Sequence, residues 1–162
     1  MSFSRAIAYI LRPDVEGGIS DDPLDPGALT AYGISIRSHP DMTPDEIRAL
    51  TPTTVAPIYL REFWTPINGD QLPDPTSFAL FDLAVNSGVS EAIRLLQHAL
   101  GVTVDGVMGP QTIRAACVAA PKTLVRDLSE LRLALMEAQP NYAHDGRGWR
   151  RRVIQTAIEA FL

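Results

Sequence analysis

The sequence predicts one mainly α-helical domain with a small β-like lobe at about residues 18–36. Apolar residues recur at helical spacing over most of the chain. Residues 18–36 contain too many Gly, Pro and Asp for a helix, and this composition is typical of an irregular turn or a short β-hairpin. A length of 162 residues, with 46% hydrophobic and 20% charged residues, fits a single globular domain with its own core.

Eight helices are predicted from the spacing of apolar residues, from capping residues and from proline at first helical positions. The apolar helix over residues 76–87 is expected to be central, and the helix over residues 121–139 presents a stripe of leucines to the core. In chain order the predicted helices cover residues 3–12, 43–50, 53–64, 76–87, 90–100, 110–120, 121–139 and 148–161.

The balance of charge and hydropathy excludes several classes of partner. A net charge of −5 argues against nucleic acid, which is normally bound by a basic stripe, and mildly against any anionic polymer. No apolar run approaches the roughly 18 residues that a membrane span needs, so stable membrane insertion is not expected. We expect the chain to be a monomer.

The N-terminal segment "MSFSRAIAYILRPDVEGG" does not have the pattern of a signal peptide. Its apolar part is interrupted by Tyr9 and Arg12, and no small-residue cleavage site follows. Synthesis in the cytoplasm is therefore expected, and action outside the cell would need a separate route of release.

No metal or cofactor is predicted. The three histidines are far apart in the sequence, and the acidic residues at positions 21–25 lack the regular spacing and closing Glu of a calcium loop. The single cysteine, Cys117, rules out an internal disulfide, and its apolar helical surroundings predict a small buried residue.

Glu16 is the first candidate for chemistry, because Gly17 and Gly18 follow it and are expected to end a helix there. A carboxyl group on the last turn of a helix faces the negative end of the backbone dipole, which disfavours its charged form. Glycoside hydrolysis needs such a protonated acid. Many helices end in Glu followed by Gly, so the pattern also fits a purely structural role.

Asp25 and Thr30 are the candidates to face Glu16. They lie nine and fourteen residues after it, and the turns expected at Pro23 and Pro26 allow the chain to fold back over the helix end. The separation of the two carboxyl groups would decide the mechanism, since roughly 6.5–9.5 Å leaves room for a water and gives inversion, whereas about 5–5.5 Å suits a covalent intermediate.

The stretch "EGGISDDPLDPGALTAYGIS" resembles the signature of glycoside hydrolase family 108, bacteriophage-type endolysins that act as N-acetylmuramidases on peptidoglycan. The resemblance implies a lysozyme-like helical fold with Glu16 as the catalytic acid, and Asp25 and Thr30 match the Glu, Asp, Thr arrangement of the wider phage-lysozyme group. Ile19 stands where the family usually has an aromatic residue, and Ala28 where it has a second glycine.

Four further segments resemble the family and extend the resemblance over nearly the whole chain. They imply a lysozyme-like catalytic part at residues 1–90 and a helical peptidoglycan-binding part at residues 91–162, packed as one compact unit. In chain order the segments are "FWTPINGDQLP", "LFDLAVNSG", "LLQHALGVTVDGVMGPQT" and "GRGWRRRV".

Four residues are candidates to bind substrate: Tyr32, Trp64, Asp82 and Asn86. Asp82 and Asn86 are four residues apart on one helix, and they could bind an N-acetyl group or cap neighbouring backbone. Trp64 could be core, a cleft wall or a stacking platform.

Two further segments have alternative interpretations. The glycine-rich turn at residues 105–110 could hold a ligand or only lead into a helix. The three arginines at positions 150–152 could meet anionic groups of the cell wall or form a solvated helix face.

The resemblance thus implies a muramidase that cleaves the β-1,4 bond between N-acetylmuramic acid and N-acetylglucosamine in peptidoglycan glycan strands. It would act in the periplasm or cell wall after release through a holin or another channel. Two alternatives stay open, namely a non-catalytic peptidoglycan-binding or phage-tail module and a lytic transglycosylase that uses the same acid.

Overall fold

Helices dominate the computed structural model, which describes residues 3–21, 29–140 and 142–162. Short π-helical and 3-10 turns occupy Leu60–Trp64 and Gly69–Gln71. In chain order the regular elements are α1 (Phe3–Ile10), β1 (Ile19–Asp21), β2 (Leu29–Ala31), β3 (Ile34–Ser35), α2 (Pro44–Arg48), α3 (Pro52–Tyr59), α4 (Asp74–Ser87), α5 (Val89–Leu100), α6 (Pro110–Val118), α7 (Pro121–Glu137) and α8 (Tyr142–Glu159). The mainly α fold class with a small β-lobe, predicted from the sequence, is confirmed.

The chain divides into two compact units, one of residues 4–61 and one of residues 62–162 with Phe3. Within the larger unit, α4 packs against α5, α7 and α8. The predicted division of the chain at residue 90 stays a prediction, and α4 and α5 on its two sides belong to the same structural unit.

A three-stranded antiparallel sheet in the order β1-β2-β3 forms the β-lobe of the smaller unit. Ser20 pairs with Thr30, and Thr30 pairs with Ser35 on its other side. Leu29, Ala31 and Ile34 are buried, so one face of the sheet contributes to the core of this unit.

The predicted capping box at the start of α2 is confirmed. The Glu46 backbone N–H donates to Thr43 Oγ1 at 3.3 Å, and the Thr43 N–H donates to Glu46 Oε2 at 2.7 Å. The hydrogen bond from the Thr43 backbone, and then the one from its hydroxyl, lowers the pKa of Glu46. A second box, between Thr51 and Thr54, starts α3.

Helix α4 forms the centre of the larger unit, as its apolar sequence predicts. Every residue from Thr76 to Ala84 is buried, and Phe81 meets the ring of Trp64 edge-on at 5.4 Å between ring centroids. On α7 the buried line runs from Leu128 through Arg132 to Met136. The predicted stripe of leucines therefore describes only the first half of α7.

Two local predictions were wrong. Helix α8 begins at Tyr142 and not at residue 148, and Gly146 lies within it, buried beneath the Tyr142 ring. Cys117 is exposed, and its Sγ lies 3.4 Å from the Gln71 carbonyl oxygen. Among the residues that the structure describes, no helix has the length and hydropathy needed to cross a bilayer.

Candidate active site

Glu16 is positioned by the segment that follows α1. The Glu16 N–H donates to the Ile10 carbonyl at 3.0 Å, and the Gly17 N–H donates to the Arg12 carbonyl at 2.9 Å. The first of these bonds satisfies a carbonyl group that the helix end leaves without an intrahelical partner. Because residues 11–16 form turns, Glu16 lies beyond the helix and not on its last turn. The helix-dipole argument, which requires a carboxyl group on the last turn of the helix, therefore does not hold for Glu16.

Gly17 is required for close backbone packing, and not for the left-handed conformation with which a glycine often ends a helix. A Cβ atom at this position would overlap the Leu11 carbonyl oxygen, whereas its φ angle is not in the left-handed region. Gly18 has open space around its Cα, and its carbonyl accepts the Tyr32 N–H at 2.7 Å. Close backbone packing at Gly17 thus directs the chain from Glu16 into the sheet.

Tyr32 and Gly33 form the two-residue turn between β2 and β3. Their φ angles are 50° and 76°, and Ala31 pairs with Ile34 across the turn, which is the pattern of a type I′ hairpin. A left-handed φ is unusual for Tyr. The buried Tyr59 donates its hydroxyl to the Tyr32 carbonyl at 2.9 Å and so supports this conformation.

The carboxyl group of Glu16 lies against this turn. A Cβ atom on Gly33 would be 3.2 Å from Glu16 Oε2 and would overlap the Tyr59 hydroxyl. The absence of a side chain at position 33 therefore lets Glu16 and Tyr59 approach the turn together. Glu16 itself is half-buried. The sequence identified Glu16 but gave no sign of Tyr59, since no local pattern connects positions 16, 33 and 59.

Thr30 lies on the polar face of the sheet. Directly paired residues of neighbouring strands point to the same face, so Ser20, Thr30 and Ser35 form a row of hydroxyl groups opposite the buried Leu29 and Ala31. The two serines were missed from the sequence, although a hairpin register centred on residues 32 and 33 would have found Ser35. Asp25 and Ala28 fall outside the described residues, so the distance from Asp25 to Glu16 stays a prediction.

Of the predicted substrate-binding residues, Tyr32 is half-buried at the turn beside Glu16, whereas Trp64 is in the core. Only 1% of Trp64 is exposed, and its indole N–H donates to Asp70 Oδ1 at 3.0 Å. Gly69 packs directly on the indole ring. Burial leaves Trp64 no surface for stacking on a sugar, so the core interpretation applies.

Asp82 is also fully buried, and this argues against direct contact with substrate. Its Oδ2 accepts from Arg132 Nη1 at 2.6 Å and from the Thr156 hydroxyl at 3.0 Å, while Oδ1 accepts from Arg152 Nε at 3.0 Å. Burial acts to raise the pKa of Asp82, but the charges and hydrogen bonds of Arg132 and Arg152 lower it overall. Asn86, one turn later, is exposed, so the two residues do not share a surface.

The three arginines at positions 150–152 do not all lie on the surface. Arg150 and Arg151 are exposed, whereas Arg152 turns inward to Asp82, so only two of the three arginines fit a solvated basic face.

The turn at residues 105–110 is organised by the buried Gln97, whose Oε1 accepts the N–H groups of Asp105 and Gly106 at 3.0 and 2.8 Å. Within the described part of the chain, no group of three His, Cys, Asp or Glu residues could hold a metal ion.

The chain is similar to two known protein families and to a solved structure. Residues 8–88 match the family Glycosyl hydrolase 108, and residues 91–153 match the family described as Predicted Peptidoglycan domain. The solved structure of SagA from Brucella abortus is similar over 98% of this chain and 93% of its own, with 32% sequence identity and a TM-score of 0.89. No curated protein sequence matches the chain. Glu16 and its surrounding turn lie in the first matched segment.

Proposed function

The chain belongs to the glycosyl hydrolase 108 family, and from that premise we propose that it cleaves the β-1,4 bond between N-acetylmuramic acid and N-acetylglucosamine with Glu16 as general acid. Family membership makes it a glycoside hydrolase. The second matched segment supports peptidoglycan as its substrate. The observation that carries the assignment is the placement of Glu16, whose carboxyl group is held against the Tyr32–Gly33 turn.

The proposed reaction needs a proton donor on the leaving group and a second group on the opposite side of the sugar. Glu16 gives its proton to the glycosidic oxygen while the bond from that oxygen to the anomeric carbon breaks. Water then adds to the anomeric carbon, and its proton passes to a carboxylate. Asp25 is the proposed acceptor or charge-stabilising group, and Thr30 is proposed to orient the water.

Two features of the smaller unit suit this role for Glu16. Its backbone is fixed on one side by the Ile10 carbonyl and on the other by the close packing of Gly17. Its side chain is half-buried beside the buried Tyr59. A general acid must reach one oxygen of a bound chain with small positional error, so a carboxyl group on a fixed backbone is better suited than one on a long surface loop.

The experiment is the substitution Glu16→Gln, assayed by release of reducing ends from purified peptidoglycan. Loss of general acid catalysis is expected to lower the rate by about 10²–10⁴-fold. Glu130→Gln is the matched control, because Glu130 is an exposed carboxylate on α7. If Glu16→Gln releases ends as fast as the wild type, Glu16 is not the acid.

Mass spectrometry of the released fragments separates the alternatives. A muramidase leaves a reducing N-acetylmuramic acid, a lytic transglycosylase leaves its 1,6-anhydro form, and a binding module releases nothing. We expect the reducing sugar. Co-expression with and without a holin then tests the proposed endolysin setting, in which the cytoplasmic protein lyses the host only when the membrane is opened.

A further inference from the structure

A groove of about 530 Å³ lies within the larger unit, where the end of α4, the start of α5, the end of α7 and the middle of α8 meet. Its volume is in the range of about 300–1,000 Å³ that is usual for small-ligand sites. Beside the Ser87 hydroxyl, the lining combines one aromatic ring, two amides, one carboxylate and two apolar side chains, provided by Trp149, Asn86, Gln139, Glu91, Leu135 and Met136.

The helix ends explain why these side chains face a groove. Gly88, with a φ of 87°, ends α4 and lets α5 begin at once, which leaves Asn86 exposed on the last turn of α4. Trp149 on α8 is half-buried, and its ring meets that of Tyr142 at 6.4 Å between centroids. Tyr142 in turn donates its hydroxyl to Glu137 at 3.2 Å. The Tyr142 ring therefore supports one side of the Trp149 indole ring.

The two amides retain capacity for a ligand. Asn86 Oδ1 accepts from the Ser87 hydroxyl at 3.4 Å, and Gln139 Nε2 donates to the Leu135 carbonyl at 3.5 Å. Both distances are at the outer limit of hydrogen bonding, so these bonds are weak. A side-chain amide offers two donors and an oxygen with two lone pairs, so a ligand amide or hydroxyl can compete for them.

The charge of the groove restricts the ligand. Glu91 is the charged residue of the described lining, which contains no Lys or Arg. The lactyl carboxyl group of N-acetylmuramic acid is either joined to a stem peptide, which itself carries carboxylates, or is free and charged where no peptide is attached. In both cases a carboxylate in the groove would repel the muramic acid side of the strand. N-acetylglucosamine is neutral, and its hydroxyl groups can donate to the Glu91 carboxylate.

We propose that this groove is a subsite for an N-acetylglucosamine residue of the glycan strand, which rests on the proposed function in taking peptidoglycan as the ligand. The C–H face of the sugar stacks on the Trp149 ring. Its N-acetyl amide exchanges hydrogen bonds with Asn86 and Gln139, and the acetyl methyl group contacts Met136. Glu91 accepts from the ring hydroxyls and disfavours a muramic acid in the same position.

The experiment uses tetra-N-acetylchitotetraose as the probe and the full chain carrying Glu16→Gln, so that binding is observed without turnover. The chain has two tryptophans, and Trp64 is 1% exposed. Two-dimensional NMR of the indole N–H groups is therefore expected to show a shift of the Trp149 signal on titration and no shift of the Trp64 signal. Trp149→Phe assigns the signals, since it removes one of them.

Calorimetry then measures affinity. Trp149→Ala is expected to weaken chitotetraose binding about tenfold, because a stacked aromatic ring is removed. Asn86→Ala is the second variant, at an exposed position where truncation does not disturb the core, and a loss of about threefold is expected from one hydrogen bond. Ile158→Ala, an exposed position of α8 outside the groove, is the matched control and should bind as the parent does.

Three results would overturn the subsite. The first is a Trp149 signal that does not shift at millimolar chitotetraose. The second is chitotetraose binding by Trp149→Ala and Asn86→Ala that is as tight as that of the parent. The third is a shift of the Trp149 signal by an isolated stem tetrapeptide where chitotetraose causes none. Failure of the proposed function is seen separately, as a wild-type protein that releases no fragments from peptidoglycan. Binding in the Glu16→Gln protein does not depend on that result.

Discussion

Replacing Asp82 by Asn removes one negative charge from the interior of the larger unit and leaves the shape of the side chain nearly unchanged. In the wild type Oδ2 faces Arg132 Nη1 and the Thr156 hydroxyl, and Oδ1 faces Arg152. An Asn side chain must place its NH₂ group on one of these two sides. Whichever side it takes, a donor then faces the donors of a guanidinium group.

The expected loss of stability follows from the burial of Arg132. Arg132 is 3% exposed, and its Nε and Nη2 have no hydrogen-bond partner among the described residues, so Asp82 is the main compensation for its charge. Removing one partner of a buried ion pair costs about 3–5 kcal/mol. For a chain of this length that corresponds to a fall in Tm of roughly 10 °C.

Urea unfolding followed by tryptophan fluorescence is the suitable assay, because Trp64 and Trp149 both belong to the unit that contains Asp82. Asp127→Asn is the matched control in the same unit. Asp127 pairs with Arg126 at 2.8 Å, and 63% of the Arg126 side chain is exposed. Loss of such a surface pair is expected to cost less than about 1 kcal/mol.

The pH dependence gives a second readout. Because the pKa of Asp82 is lowered in the folded state, its stabilisation is present above the ordinary carboxyl pKa of about 4 and is lost as the pH falls through the folded value. The difference between wild type and Asp82→Asn should therefore shrink in acid. A loss no larger than that of Asp127→Asn at pH 7 would refute the structural role, and a raised KM at a temperature where the variant is folded would restore a substrate role.

Two further substitutions test other parts of the chain. Gly33→Ala forces a φ of 76° on a residue with a side chain and sets its Cβ against Tyr59 and Glu16. It is expected to cost about 1–3 kcal/mol in thermal unfolding and to lower peptidoglycan cleavage, and unchanged activity would contradict the placement of Glu16. Gln97→Leu leaves the N–H groups of Asp105 and Gly106 without their acceptor, for a loss of about 2–4 kcal/mol in urea unfolding, and a neutral result would contradict this contribution.

The parts of the fold that were predicted correctly depend on neighbours in the sequence. The capping box joins Thr43 to Glu46, three positions apart, and the core helix α4 shows its burial in its own apolar run. By contrast, the partners of Asp82 are 50 and 70 positions away, at Arg132 and Arg152. A carboxylate in an apolar helix indicates a buried partner or a functional site, and the sequence alone does not separate the two.

Glycine was one source of local error, because the same residue serves different physical needs. Gly146 lies inside α8, before the predicted helix start at residue 148, and the Tyr142 ring leaves no room for a Cβ there. Gly17 looked like a left-handed helix end, but close packing on the Leu11 carbonyl requires it. Neither need is visible without knowing which atoms come near.

The candidate site is defined partly by a motif in the sequence and partly by contacts between residues that are distant in the sequence. A motif in the sequence brought Glu16, Gly17 and Gly33 to notice together, yet their spacing gave no reason why the last of them should be glycine. In the structure, Gly33 is the point at which the Glu16 carboxyl group and the Tyr59 hydroxyl meet the same turn. The catalytic proposal therefore concerns a constellation of carboxyl group, hairpin turn and buried tyrosine. A substitution at Gly33 should impair cleavage although position 33 has no side chain to take part in the chemistry.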